Sequence, residues 1–80
     1  MVAVTEYSFT IILNPDEQEG GYTVAVPSLP GCVTQGETLE EAIAMAKDAI
    51  QAYVESLLKD GLPVPEERER PQAITIKVAA

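Results

Sequence analysis

"PSLPGCVTQGETLEEA", residues 27–42, carries the chain from one periodicity to another. Upstream of it, apolar and polar residues alternate, the signature of half-buried strands. Downstream, apolar residues recur every three or four positions, the signature of a helix laid on a core. The stretch itself opens with two prolines and a glycine, which make a tight connection. "CVTQG" (32–36) then reads as a short third strand, with Cys32 and Thr34 on one face and Val33 on the other. Thr38 and Glu41 fit a Thr-x-x-Glu capping box, in which each side chain satisfies an orphan backbone N–H. Glu37, Glu40 and Glu41 sit where a helix dipole favours negative charge.

From Leu39 onward, Leu39, Ala42, Ile43, Ala46, Ala49, Ile50, Tyr53, Val54 and Leu57 fall within an arc of about 140° at 3.6 residues per turn. The opposite side carries Glu41, Lys47, Asp48, Gln51, Glu55 and Lys59. Lys59, Gly61 and Pro63 together mark the helix end. A second stripe of small or flexible residues, Met45, Ala49, Ala52 and Ser56, flanks the core face. It reads either as an oligomer contact, where small side chains admit close approach, or as plain helix-forming composition.

Working outward, "TEYSFTIIL" (5–13) alternates with Tyr7, Phe9, Ile11 and Leu13 on one side and Glu6, Ser8 and Thr10 on the other. "NPDEQEGG" (14–21) is a hairpin loop carrying Asp16, Glu17 and Glu19. "YTVAV" (22–26) is the second strand, with Tyr22, Val24 and Val26 inward, and Pro27 ends it. After the helix, "DGLPVPEERERP" (60–71) is a linker. "QAITIKVAA" (72–80) is expected as a last strand, Ile74, Ile76 and Val78 inward and Thr75 and Lys77 outward. The pattern is β-β-β-α-β, an α+β fold with one helix on a four-stranded mixed sheet. A right-handed crossover places the last strand beside the first, giving the order 3-2-1-4. The second sheet face reads polar and can meet water.

Eighty residues make a single domain, 1–80, with room for one modest core. Thirteen acidic residues against five basic ones give a net charge of −8. That charge repels phosphate backbones and anionic lipids, so direct nucleic-acid and membrane partners are not expected. A basic protein is the charged partner it suits, although acidity also serves solubility alone. There is no histidine, hence no Ser-His or Cys-His nucleophile pair and no imidazole metal ligand. One cysteine forms no internal disulfide, which fits the cytoplasm. No apolar run reaches the ~18 residues of a membrane span.

Cys32 is the obvious candidate nucleophile, but a reactive thiol needs a nearby cation, a histidine or an unopposed helix N-terminus. Glu37, Glu40 and Glu41 crowd the helix start, so Cys32 reads as a small buried hydrophobe. Asp16, Glu17 and Glu19 are adjacent loop acids that splay outward rather than converge on a catalytic metal. No catalytic residue, metal site or cofactor is expected.

Four short motifs resemble those of HicB-type antitoxins. They are Gly21-Tyr22, the "PSLPGC" turn of Pro27 to Cys32, "TQGETLEEA" from Thr34 to Ala42, and "GLPVP" from Gly61 to Pro65. Each is weak alone, and four in order at this spacing are specific. The resemblance covers nearly the whole chain and implies a partial RNase H-like fold without the metal-binding acids of the true nucleases. It also implies a role: binding and neutralising a small basic mRNA-cleaving toxin, HicA. The surface expected to meet it comprises Asp16, Glu17, Glu19, Tyr22, Ser28 and Leu29, with Met45, Ala49, Ala52 and Ser56 as the contact of a homo-oligomer, a dimer or a tetramer. Antitoxins of this family usually add a C-terminal DNA-binding domain, and no basic helix follows residue 72 here, so no separate DNA-binding domain is expected. Two alternatives differ in class: an orphan HicB-like oligomer with a regulatory or structural role, and a residual RNA-binding or metal-dependent nuclease activity relying on Asp16 or Glu17.

Overall fold

The computed structural model describes residues 5–67 and 71–80. Part of the expected linker, residues 68–70, lies outside the described residues. Three strands, β1 (Ile12–Pro15), β2 (Tyr22–Ala25) and β3 (Val33–Gly36), form an antiparallel sheet in the order β1-β2-β3, followed by helix α1 (Leu39–Lys59). Ile12 pairs with Ala25 and Pro15 with Tyr22, then Tyr22 with Gly36 and Ala25 with Val33.

The "PSLPGC" segment is a double turn. Leu29 N–H donates to Val26 O at 3.0 Å, and Cys32 N–H donates to Leu29 O at 3.0 Å. The second turn has Pro30 and Gly31 at its centre, Gly31 at φ 79°, which is the type II signature. Val26 N–H then donates to Cys32 O at 3.1 Å, in register with the β2–β3 ladder. The two turns fold Leu29 inward, where it is 1% exposed against Val26 and Cys32. A leucine bracketed by prolines thus serves as the plug of the hairpin. Tyr53 Oη donates to Pro30 O at 2.9 Å and ties the same turn to the helix.

The helix termini follow the sequence. Thr38 is the N-cap, and its Oγ1 accepts from Glu41 N–H at 3.0 Å. At the other end Gly61 N–H donates to Leu58 O and Leu62 N–H to Leu57 O, the paired bonds of a Schellman motif. The sheet and helix enclose two contiguous clusters. Val24, Ala42 and Ala46 form one, joined by Ile11, Leu13 and Tyr22. Val26, Leu29 and Cys32 form the other, joined by Phe9, Ile11, Ala49, Ile50 and Tyr53. Of the expected helix face, Leu39 (48%) and Ile43 (37%) are exposed rather than buried.

Two expectations are corrected. The first strand begins at Ile12, not at residue 5. Continuing the β1–β2 register would set Thr10 opposite Pro27, where the second strand has already bent into its turn. Thr10 instead turns to Glu67: its N–H donates to Oε1 at 2.8 Å and its Oγ1 donates to Oε2 at 2.7 Å. Ser28 Oγ also donates to Glu67 Oε1, at 3.1 Å. The Glu67 carboxylate therefore occupies the seam where the ladder would have continued. Secondly, residues 71–80 form no strand, so the observed sheet has three strands rather than four in the order 3-2-1-4. Ile74, Ile76 and Val78, expected inward, are 75%, 77% and 83% exposed.

Candidate functional site: an acidic opening at the helix start

Two glycines bring the first turn, the third strand and the helix start together. A Cβ on Gly21 would stand 2.6 Å from Gly36 O, and Gly21 has φ 80°, a conformation side chains resist. A Cβ on Gly36 would meet the backbone N of Ala42 and lie 2.6 Å from its Cα. Only glycine at both positions lets the loop stack on β3 and β3 on α1. The consequence is an opening of about 400 Å³ whose lining includes Asp16, Glu19, Tyr22, Gly36, Glu37, Glu41 and Met45.

The turn itself is braced by Asp16, whose Oδ1 accepts from Gln18 N–H at 3.0 Å and Glu19 N–H at 3.1 Å. Asp16 N–H closes the hairpin on Gly21 O at 2.9 Å. Glu17 and Glu19 remain exposed. On the other rim, Glu41 lies in the first helical turn, where the unpaired N–H groups offset part of the mutual repulsion of these acids. Among the described residues, no three acidic or thiol groups are placed to share a metal ion. The chemistry on offer is electrostatic: a concentration of negative charge beside the half-buried Tyr22.

The expected contact residues separate here. Asp16, Glu19 and Tyr22 share the opening, and Glu17 is exposed on the same turn. Ser28 is engaged with Glu67 at the far side of the hairpin, and Leu29 is core rather than surface. Glu37 and Glu41, read from sequence only as helix-start charges, complete the rim. The signal that could have placed them was Gly36, whose lack of a side chain implies close approach. Of the small-residue stripe, Met45 is 42% exposed and Ala52 and Ser56 are exposed, whereas Ala49 packs on the second core cluster.

Cys32 is 6% exposed beside Val26 and Leu29, and burial raises its pKa above the ordinary 9.0. A thiol held protonated in an apolar pocket is a poor nucleophile. No helix among the described residues is long and apolar enough to cross a membrane.

Residues 9–76 match the family described as the HicB_like antitoxin of bacterial toxin-antitoxin systems. A UPF0150 protein of Thermoplasma acidophilum is 47% identical over 68 residues, spanning 85% of this chain and 94% of that protein. The Escherichia coli antitoxin HicB is 37% identical over 57 residues, 71% of this chain and 41% of that protein. Antitoxin HicB 1 of Photorhabdus laumondii is 42% identical over 57 residues, 71% of this chain and 36% of that protein. The matched span includes every residue that lines the acidic opening, and the chain belongs to the HicB-like antitoxin family.

Proposed function

We propose that this chain is a non-enzymatic cytoplasmic binding module that captures and neutralises a small basic HicA-like mRNA-cleaving toxin through the acidic opening. The observation that carries the reading is the convergence of Asp16, Glu19, Glu37 and Glu41 around one opening in a family of antitoxins. A net charge of −8 steers a basic partner toward the chain and repels free RNA, so direct nucleic-acid contact is not part of the role. The contact set proposed is Asp16, Glu17, Glu19, Tyr22, Glu37 and Glu41. Ser28 lies within the family turn and supports it through Glu67 rather than meeting the toxin. The module acts as a homo-oligomer, with Met45, Ala52 and Ser56 available as one contact between copies. Its α+β layer is a partial RNase H-like arrangement in which no catalytic chemistry is retained.

The test uses a toxin reading frame encoded beside this one, titrated against the full chain at two salt concentrations. Binding is expected to weaken with salt, because rim charges are screened beyond about 8 Å at physiological ionic strength. Reversing Glu19 and Glu41 to lysine is expected to slow association by roughly tenfold or more. Tight binding untouched by both salt and reversal would sink the acidic-opening reading.

A further inference from the structure

The end of the chain and the flank of β1 are left with matching, unused surfaces. Residues 71–80 are exposed at every position, and Ile74, Ile76 and Val78 form one apolar face at 75%, 77% and 83% exposure. The molecule measures 58 Å along its long axis against 27 and 22 Å across, whereas its 21-residue helix accounts for only about 31 Å. A groove of about 770 Å³ runs between residues 5–10 and the second half of α1, with Tyr7, Phe9, Ile50, Val54 and Leu58 among its walls. Tyr7 and Phe9 stack with ring centroids 6.5 Å apart, and Tyr7 (40%) and Leu58 (55%) remain exposed there. Residues 5–11 have no ladder partner among the described residues.

We propose that residues 72–78 of one copy add as a fourth strand along residues 7–11 of a second copy, and that the exchange is reciprocal. The period and the length agree. Ile74, Ile76 and Val78 present three inward side chains over about 13 Å, and Tyr7, Phe9 and Ile11 present three over the same distance. Pro15 supports the edge assignment: it lies in β1, and a proline is tolerated where its missing N–H faces away from the ladder. Charge permits the contact between two acidic molecules. Within residues 71–80 the one charged side chain is Lys77, so the donated strand carries none of the negative charge that would oppose docking. Within one copy, the Glu67 carboxylate is held at Thr10 and Ser28, and residues 71–80, exposed throughout, are not among the groove's walls. A two-fold pair lets each copy fill the other's groove by the same contact. The sheet edge, otherwise open to uncontrolled pairing, is covered in both.

Light scattering on the full chain, coupled to size exclusion, is the first readout, with an even multiple of 8.6 kDa expected. Ile76→Lys should halve that mass with the helical circular dichroism unchanged, because Ile76 is not part of the single-copy core. A second measurement identifies the contact. In a Cys32→Ala background, chains bearing Tyr7→Cys are mixed with chains bearing Ile76→Cys, and a short bis-maleimide is added. Covalent dimers joining one chain of each kind are expected. A monomeric full chain overturns the proposal, as does an unchanged mass for Ile76→Lys, which would place the interface elsewhere, for example on the Met45 stripe. A separate double variant, Tyr7→Cys with Ile76→Cys, that cross-linked only within single chains would overturn it too, since the strand would then return to its own groove.

Discussion

Replacing Gly36 by alanine probes the packing that assembles the acidic opening. The new Cβ would face the backbone N of Ala42, lie 2.6 Å from its Cα and 2.9 Å from the carbonyl carbon of Glu41. Carbon atoms rest about 3.5–4.0 Å apart, so the first helical turn must retreat by about 1 Å. None of the obstructing atoms is the end of a flexible side chain, and the whole helix start has to move. A gap of that size forfeits roughly a quarter to a half of the dispersion attraction across it. It opens beside Val24, Ala42 and Ala46, which are 0%, 0% and 1% exposed. Such overpacking costs about 1–3 kcal/mol, and the lower chain entropy of alanine returns about 0.5–1 kcal/mol of it. A net loss of about 1–2 kcal/mol is large against the roughly 4–12 kcal/mol expected for a domain of this length. Gly36 does not have a positive φ, so the loss reports on space rather than on backbone conformation. In urea unfolding followed by circular dichroism, the midpoint should fall by about 1–2 M with an unchanged slope. A midpoint equal to or above that of the parent chain would refute the close-approach argument.

Three further outcomes are expected. Leu29→Ala removes the fully buried plug of the second hairpin and should cost about 2–5 kcal/mol in the same urea assay, enough to leave much of the chain unfolded at 37 °C. Thr38→Ala removes the cap on Glu41 N–H and should cost about 1 kcal/mol, read as an earlier thermal midpoint and lower helical signal. Cys32 should react with a maleimide far more slowly in the folded chain than in urea. Because its pKa is raised by burial, the folded state holds the proton more tightly. This group's contribution to stability should be constant well below pH 9.0 and decline as pH rises through that value, a contribution that Cys32→Ala removes.

The features legible in the sequence were those decided by neighbours along the chain. Thr38, Lys59 and Gly61 mark the helix to within a residue because capping uses bonds three to five residues apart. Alternation placed Val24, Val26 and Cys32 on the inner face and Val33 on the outer, as found. What alternation does not carry is the identity of the pairing partner. Residues 5–11 and 72–80 alternate as well as any strand, yet neither pairs with another strand among the described residues, because the second strand turns away at Pro27 and Glu67 enters the seam. The Glu67 bonds to Thr10 span 57 residues, a separation no local pattern reports. Leu29, expected at the surface as part of the family turn, is instead buried, because two successive turns aim its side chain inward. For the opening, Asp16 and Glu19 stood out as loop acids, whereas Glu37 and Glu41 joined them only through the glycine contacts that fold the helix start onto β3.

The two surfaces lie toward opposite ends of α1, and that separation determines how partner and copy combine. Glu41 and Met45 border the acidic opening, while Val54 and Leu58 border the apolar groove. From Glu41 to Val54 the helix rises about 20 Å. Glu41 and Val54 thus stand beyond the roughly 7–10 Å within which substitutions couple, and no side chain lines both sites, although Met45 of the opening and Lys47 of the groove are two residues apart. Charge divides in the same way: the opening gathers Asp16, Glu19, Glu37 and Glu41, whereas the groove wall holds one acid, Glu55, and one base, Lys47. A basic toxin and the exchanged strand of a second copy therefore address different surfaces of the helix and do not compete for the same side chains. If both proposals hold, Ile76→Lys halves the assembly mass and leaves the affinity of each opening for toxin unchanged, while Glu41→Lys weakens toxin binding and leaves the mass alone. The double variant should show the sum of the two effects. Toxin affinity that fell with Ile76→Lys alone would mean that the second copy contributes to the opening, and the separation argued from the helix would be wrong.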